Sequence, residues 1–305
     1  MYFLLLAAII VVASAGKLYS ESEKFNREAF DEFKTSFNKK YPSVEEELQR
    51  FKIFVANLVT VDARNELERL ANGTAVHGIT KFSDLTAEEF KARYLTLLNP
   101  KENREKTLTT AKIHNVENPT VKATGMVDWT GVYTTPIKDQ GYCGSCWAFS
   151  ATEQIESESM RQLGTDYILS PEQIVQCDKL SSGCSGGYHS LCITISNIKL
   201  IFSYSSHRWP TWAMDYVKSA GGIEQNSDYP YTSYYGTTGT CNSDASKNVI
   251  TVTDYTVITG SSIESSMASH VQSTGPLSIC VDASSWSSYT GGVMKVCGKS
   301  IDVSN

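Results

Sequence analysis

Cys143 and Cys146 stand three apart in Gln140-Gly141-Tyr142-Cys143-Gly144-Ser145-Cys146-Trp147-Ala148-Phe149-Ser150, the stretch that carries the most chemistry in the chain. From Cys146 onward the pattern is helical, with Trp147, Phe149, Ala151 and Ile155 interleaved among Glu153, Gln154 and Glu158. A cysteine that opens a helix sees the positive end of the macrodipole, which favours the thiolate. Such a thiolate attacks carbonyl carbon, and backbone N–H groups of the first turn with a side-chain amide such as Gln140 could hold the developing oxyanion. Gly141 and Gly144 leave room for close approach. The C-x-x-C spacing also fits a redox pair or half a zinc site. A redox pair calls for a βαβ unit before it, and a zinc site for a second C-x-x-C; the sequence offers neither. A third reading is one structural disulfide beside one buried cysteine.

Three segments surround this stretch. Residues 1–16 carry no charged side chain, residues 17–121 carry 17 Lys/Arg and 17 Asp/Glu, and residues 122–305 carry 10 and 16 with all eight cysteines. The charge-dense, cysteine-free middle and the charge-poor, cysteine-bearing remainder point to two units with different jobs. A net charge of −6 gives no basic face for nucleic acid. No apolar run is long enough to span a membrane. Tyr2–Ala13 followed by Ala13-Ser14-Ala15 has the form of a secretory signal peptide, assigned to residues 1–15, with a weak basic start. Entry to that pathway permits disulfides and makes Asn72-Gly73-Thr74 a usable glycosylation sequon on Asn72.

The middle segment reads as helical. Residues 22–37 place Phe25, Ala29, Phe33 and Phe37 on one stripe. A second helix is expected from an N-cap at Ser43 to Ala71, stopped by Asn72-Gly73. Along it Glu46, Arg50, Phe54, Asn57, Val61 and Asn65 share one face of mixed polarity. Gly78-x-Thr80-x-Phe82-x-Asp84 follows, and Thr86 caps a short helix with Glu88 and Glu89 in its first turn.

Those six helix positions resemble the interrupted propeptide motif of papain-like cysteine proteases, with Val61 where Ile is usual. Gly78, Thr80, Phe82 and Asp84 are similar to that family's second propeptide motif. The Cys146 stretch resembles its nucleophile segment almost letter for letter. The resemblance implies a cathepsin-L-like precursor of α+β class: a papain-like two-lobed fold, one lobe helical and one an antiparallel β-barrel, preceded by a helical propeptide. The barrel falls in the alternating stretches 248–258 and 276–283. Residues 17–121 become the inhibitory propeptide, an intramolecular inhibitor, with 99–120 as the connecting strand cut on activation; residues 122–305 become the peptidase domain. Cys146 is then the nucleophile and Gln140 the oxyanion side chain. Cys143 pairs with Cys184, and Cys177 with Cys241. Gly144, Gly186 and Gly187 run beside the substrate backbone, while Trp209, Pro210 and Cys280 wall the pocket. The implied partners are peptide or protein substrates, the implied state a monomer in the secretory pathway or a lysosome-like compartment. The chemistry uses side chains only, so no metal or other cofactor is expected.

Two departures accompany the match. After Asp302 the family has its catalytic histidine, and later an Asn-Ser-Trp segment; here Val303, Ser304 and Asn305 follow. The chain is therefore expected to be truncated before the base and inactive as it stands, or a catalytically dead binding protein. His77, His114, His189, His207 and His270 are not expected to replace that base, and His270 is expected to face solvent. The second departure is Tyr188–Arg208, which separates Gly187 from Trp209 where the family has none. GT and AG can be written at its borders, as at a retained intron, and Val303 can likewise open on GT. Cys192 belongs to that stretch, and Cys297 lacks its expected partner.

Overall fold

The computed structural model describes residues 17–95, 112–115, 125–186, 209–259, 263–279 and 283–296; for 112–115, 209–211, 257–259 and 263 it describes the backbone. The elements in chain order are α1 (Glu23–Ser36), α2 (Val44–Leu70), β1 (Val76–His77), α3 (Ala87–Tyr94), β2 (Lys112–Asn115), α4 (Cys146–Leu163), α5 (Pro171–Cys177), α6 (Trp209–Ser219), β3 (Thr256–Thr259), α7 (Ile263–Ser273) and β4 (Tyr289–Gly291). The described residues fall into two compact units, 17–86 with 285–296 and those between 87 and 284.

The first unit is built on α1 and α2. Ser43 caps α2 by accepting the Glu46 N–H at 3.2 Å, and Asn72, at φ +52°, turns the chain out of it. The core is aromatic: Phe30, Phe33, Phe51 and Phe54 with Leu58, flanked by Tyr19, Tyr41 and Ile79. The α1 stripe differs from the expected one. Asn26, Phe30 and Phe33 are buried, whereas Phe25 is 48% exposed and Phe37 38%. A strict spacing of four outruns the 3.6-residue turn by about 40° per step, so Phe25 and Phe37 rotate off the face that holds Phe33.

The mixed face of α2 has a concrete use. Arg50 bonds Glu46 Oε1 at 2.7 Å and the Asp84 carbonyl at 3.1 Å. Asn57 donates to the carbonyls of Ser83 and Leu85, and Asn65 exchanges two bonds with the backbone of His77. Phe54 and Val61 are buried between these polar members. Asp84 is buried where Lys39 Nζ (2.8 Å) and Tyr41 Oη (2.9 Å) reach it. Gly78 and Phe82 lie in the loop so held, with Lys81 Nζ over the Phe82 ring. β1 pairs antiparallel with β4, with an irregularity that leaves Thr290 between the paired residues.

The second unit is centred on α4, α5 and α6, whose facing residues Trp147, Ala148, Ala151, Ile155, Ile174, Val175, Ala213, Met214 and Val217 form its core with Leu169 and Ile223. Pro171 opens α5 behind the cap of Ser170, and Gly164, at φ +70°, closes α4. Two buried carboxylates staple loops to this core. Glu156 accepts from Lys138 Nζ, the Thr135 hydroxyl and the Leu169 N–H, while Glu172 accepts from Thr232, Ser233 and Gln176. Expected strands are realised only in part. Of 248–258, Ile250 makes one antiparallel bridge to Ile223, and the extended stretch becomes a strand at Thr256–Thr259. That strand pairs in parallel with Lys112–Asn115. Residues 276–279 are not in a strand, and 280–282 lie outside the description. Alternation marks a segment that can be half-buried; a ladder forms only where a second backbone lies beside it.

Candidate active site

Cys146 is the first residue of α4 and is exposed, whereas Trp147, Ala148 and Phe149 immediately after it are buried. Ser145, fully buried, fixes the turn before it by accepting the N–H groups of Ala148 and Phe149 on its carbonyl. The thiol therefore stands at the positive end of an 18-residue helix. Among the described residues Cys146 is the cysteine outside a disulfide, because Cys143 is joined to Cys184 and Cys177 to Cys241. These are the pairs that the family resemblance implies, and the first removes Cys143 as a redox partner for Cys146.

The disulfide places two glycine-bearing segments side by side. Gly144 donates its N–H to the Cys184 carbonyl at 2.9 Å, and a Cβ on Gly144 would lie 2.9 Å from that oxygen and 3.6 Å from the Gly186 nitrogen. Gly186 itself is at φ +95°. Gln140, half-buried, donates Nε2 to the Cys143 carbonyl at 2.7 Å. One N–H of that amide is thus spent on the loop and one remains for a second acceptor.

Residues that spacing did not indicate complete the site. Tyr231 donates its hydroxyl to the Gln140 carbonyl at 2.9 Å and so accepts from Ser145 Oγ at 2.8 Å. Burial pushes its phenol up to about 12, and its ring meets Phe149 edge-on. Asp139 accepts the Gly141 N–H, and Tyr234 accepts the Tyr142 N–H on its carbonyl. Thr238 Oγ1 accepts the Cys184 N–H at 2.9 Å. Tyr231 lies 86 and 91 residues from its partners, Tyr234 95 from Asp139 and Thr238 54 from Cys184, and no local period could have pointed to them. From the segment read as propeptide, Tyr94 sets its ring 5.7 Å from that of Tyr142.

Two imidazoles are described. His77 belongs to the first unit. His270, on α7, is half-buried rather than solvent-facing; burial depresses its pKa, and Glu158 and Arg161 are its charged neighbours. Those neighbours begin twelve residues beyond Cys146 on α4, roughly 18 Å along the axis. His270 is thus at the wrong end of the helix to serve the thiol. Trp209 and Pro210 open α6, their side chains outside the description. Residues 1–16, Gly187, Tyr188–Arg208 with His189, Cys192 and His207, Cys280, and 297–305 also lie outside it, as does the His114 side chain. Among the described residues, no group of three or more His, Cys, Asp or Glu side chains could hold a metal ion, and no helix is long and apolar enough to cross a membrane.

The fold is that of a thiol hydrolase precursor, and comparison with known proteins makes the class specific. The description "Papain family cysteine protease" matches residues 123–208 and 205–304, and "Cathepsin propeptide inhibitor domain (I29)" matches residues 30–90. The chain is 34% identical over 286 residues to cysteine proteinase 15A of Pisum sativum, covering 89% of this chain and 68% of that one. It is 32% identical over 265 residues to cathepsin F of Mus musculus, covering 87% of this chain and 50% of that one. Among solved structures, digestive procathepsin L2 proteinase from Tenebrio molitor larval midgut superimposes with a TM-score of 0.70 at 29% identity, covering 89% of this chain and 80% of that one. The chain belongs to the papain family of cysteine proteases, in precursor form with an inhibitor domain at its front.

Proposed function

We propose that the chain is the precursor of a cysteine-type endopeptidase in which Cys146 is the nucleophile. The observation that carries this reading is the exposed thiol at the first position of α4, just after a loop in which Gln140 bonds Cys143 and Gly144 bonds Cys184. The Cys146 thiolate adds to the scissile carbonyl carbon, and the carbonyl oxygen takes the negative charge. The remaining N–H of Gln140 and the N–H at the helix start stabilise it. The C–N bond then breaks, the amine leaves with a proton, and water hydrolyses the thioester. Gly144, Gly186 and Gly187 accommodate the peptide backbone; Trp209, Pro210 and Cys280 wall its side-chain pocket. Residues 17–121 act as the intramolecular inhibitor. That reading is supported by the Tyr94–Tyr142 contact and by the pairing of Lys112–Asn115 with Thr256–Thr259, two places where propeptide sequence touches peptidase sequence. Residues 1–15 direct the chain to the secretory pathway, and exposed Asn72 carries the glycan there, to be read as a mass loss on glycosidase treatment.

The leaving amine needs an imidazolium to protonate it, and the neighbours of His270 lie at the far end of α4 from Cys146. With Val303 after Asp302 where the family's histidine stands, we expect residues 17–305 to show no turnover of dipeptidyl fluorogenic substrates. Iodoacetamide should alkylate Cys146 faster than a free cysteine at neutral pH, because the helix start favours the thiolate. Cleavage that disappears in Cys146→Ser would reveal an imidazole partner in this chain. The second reading, a papain-like protein that binds without cutting, rests on the same observation. Inhibition of an active relative by the Cys146→Ser chain would favour it.

A further inference from the structure

Gln140, which supplies the side-chain amide of the site, and Ser145, which precedes Cys146, stand on opposite sides of the Cys143 turn. Tyr231 joins them across it. Its hydroxyl donates to the Gln140 carbonyl at 2.9 Å and accepts from Ser145 Oγ at 2.8 Å. The order of these bonds is fixed, because a carbonyl has no proton to give. Ser145 is fully buried and holds the N–H groups of Ala148 and Phe149 on its own carbonyl. Whatever fixes Ser145 therefore fixes the first turn of α4 and the place of the thiol.

The phenol is held from behind by groups outside the loop. The Phe149 ring meets its ring edge-on at 4.9 Å. Ser170 Oγ, at the cap of α5, donates to the Tyr229 carbonyl at 2.6 Å. Beyond Tyr231, the Thr232 hydroxyl and both the N–H and the hydroxyl of Ser233 donate to the Glu172 carboxylate, which is fully buried. Residues 229–233 thus hang on α5 at both ends, and Tyr231 carries that fixed reference to the loop. The bond from Gln140 Nε2 to the Cys143 carbonyl orients the amide within the loop. The tie through Tyr231 sets where the Gln140 backbone stands relative to the helix start. Burial also keeps the phenol protonated, with its pKa pushed up to about 12, so the donor persists where a thiol ionises.

We propose that Tyr231 is a positioning residue: by tying Gln140 to Ser145 it fixes the oxyanion amide against the Cys146 thiolate. It acts through the two residues it joins. The proposal rests on the reading of Cys146 as nucleophile and Gln140 as oxyanion donor. Positional error is costly in such a site, since a displacement of about 1 Å can cost on the order of 100-fold in rate. Removing an oxyanion donor outright costs about 100- to 1,000-fold.

The test compares two reagents at Cys146 of the full chain, neither of which needs an imidazolium. p-Nitrophenyl acetate is attacked at its carbonyl carbon: the C–S bond forms, and the carbonyl oxygen carries the charge in passing. The aryl ester C–O bond then breaks, p-nitrophenolate leaves as an anion, and the acetyl group stays on sulfur as a thioester. Iodoacetamide forms a C–S bond at a saturated carbon with loss of iodide, and no oxyanion arises. Both reactions use the thiolate, so their rate ratio cancels its population and reads the oxyanion donors; Cys146→Ser supplies the blank. In Tyr231→Phe, which keeps the ring, the ratio should fall about 10-fold, and in Gln140→Ala about 100-fold. Added to Gln140→Ala, Tyr231→Phe should produce no further fall. A ratio unmoved in Tyr231→Phe while Gln140→Ala lowers it overturns the positioning role and leaves the nucleophile reading in place. An equal fall on both backgrounds overturns it too, since Tyr231 then acts apart from the amide. A ratio unmoved by Gln140→Ala overturns the oxyanion reading, and the proposal with it. If Tyr231→Phe does not fold, Ser145→Ala cuts the other arm of the tie: a fall of about 10-fold supports the proposal, and no fall overturns it.

Discussion

Gly141 and Gly131 share nearly the same backbone, φ +64° and +69°, and differ in what surrounds them. At Gly131 a Cβ would meet nothing within 4 Å, whereas at Gly141 it would lie 2.3 Å from the Tyr234 carbonyl and 2.7 Å from its ring. Left-handed backbone alone costs an L-residue about 1–2 kcal/mol, and forced overlap in a packed site adds about 1–3 kcal/mol. Gly131→Ala is thus expected to lose about 1 kcal/mol in chemical denaturation, and Gly141→Ala about 2–4 kcal/mol. Equal losses would mean that the Tyr234 contact relaxes at little cost. The same comparison separates the two roles of glycine near Cys146: Gly141 makes room for the chain itself, and Gly144 lets the Cys184 segment approach within hydrogen-bonding distance.

At the scale of elements, α2 does most of the ordering in the first unit. Asn57 is half-buried and supplies both donors to the carbonyls of Ser83 and Leu85, at 2.8 and 2.9 Å. Asn57→Ala leaves two acceptors unanswered and should cost about 1–3 kcal/mol. Asn57→Asp removes the donors while keeping the shape, and should cost at least as much above the carboxylate's titration range. Thermal unfolding monitored at α2 would read both; two silent variants would show that water replaces the amide. This helix was legible in the sequence because its signals are local: a Ser cap, a repeating face and an Asn-Gly stop. The Cys146 helix start was legible for the same reason. What the sequence concealed is long-range. The α1 stripe turned by the drift of a four-residue spacing, placing Phe30 where Phe25 was expected. β1 found its partner more than two hundred residues away in β4, and β3 found β2 rather than a barrel neighbour. Tyr231 reached Gln140 and Ser145 by folding, not by spacing.

At the scale of the whole molecule, the disulfides among the described residues lie in one unit. Cys143–Cys184 closes a separation of 41 residues and Cys177–Cys241 one of 64, both within residues 87–284. Loops of that length remove unfolded-state entropy equivalent to about 4 kcal/mol each, before any strain or residual structure is subtracted. Residues 17–86 hold no cysteine and rely on the aromatic core around Phe54, capping and the α2 amides. Mild reduction should therefore act unevenly. Amide protection in α4 and α5 should collapse, since Cys143 and Cys177 are anchored at their ends, and Gly144 should separate from Cys184. Protection around Phe51, Phe54 and Leu58 should persist at the same denaturant concentration. Exchange followed by mass spectrometry with and without reductant makes the comparison in one sample. If the α2 core loses protection in step with α4, then folding of residues 17–86 depends on the disulfide-bonded unit, and a propeptide that folds by its own packing is ruled out for this chain.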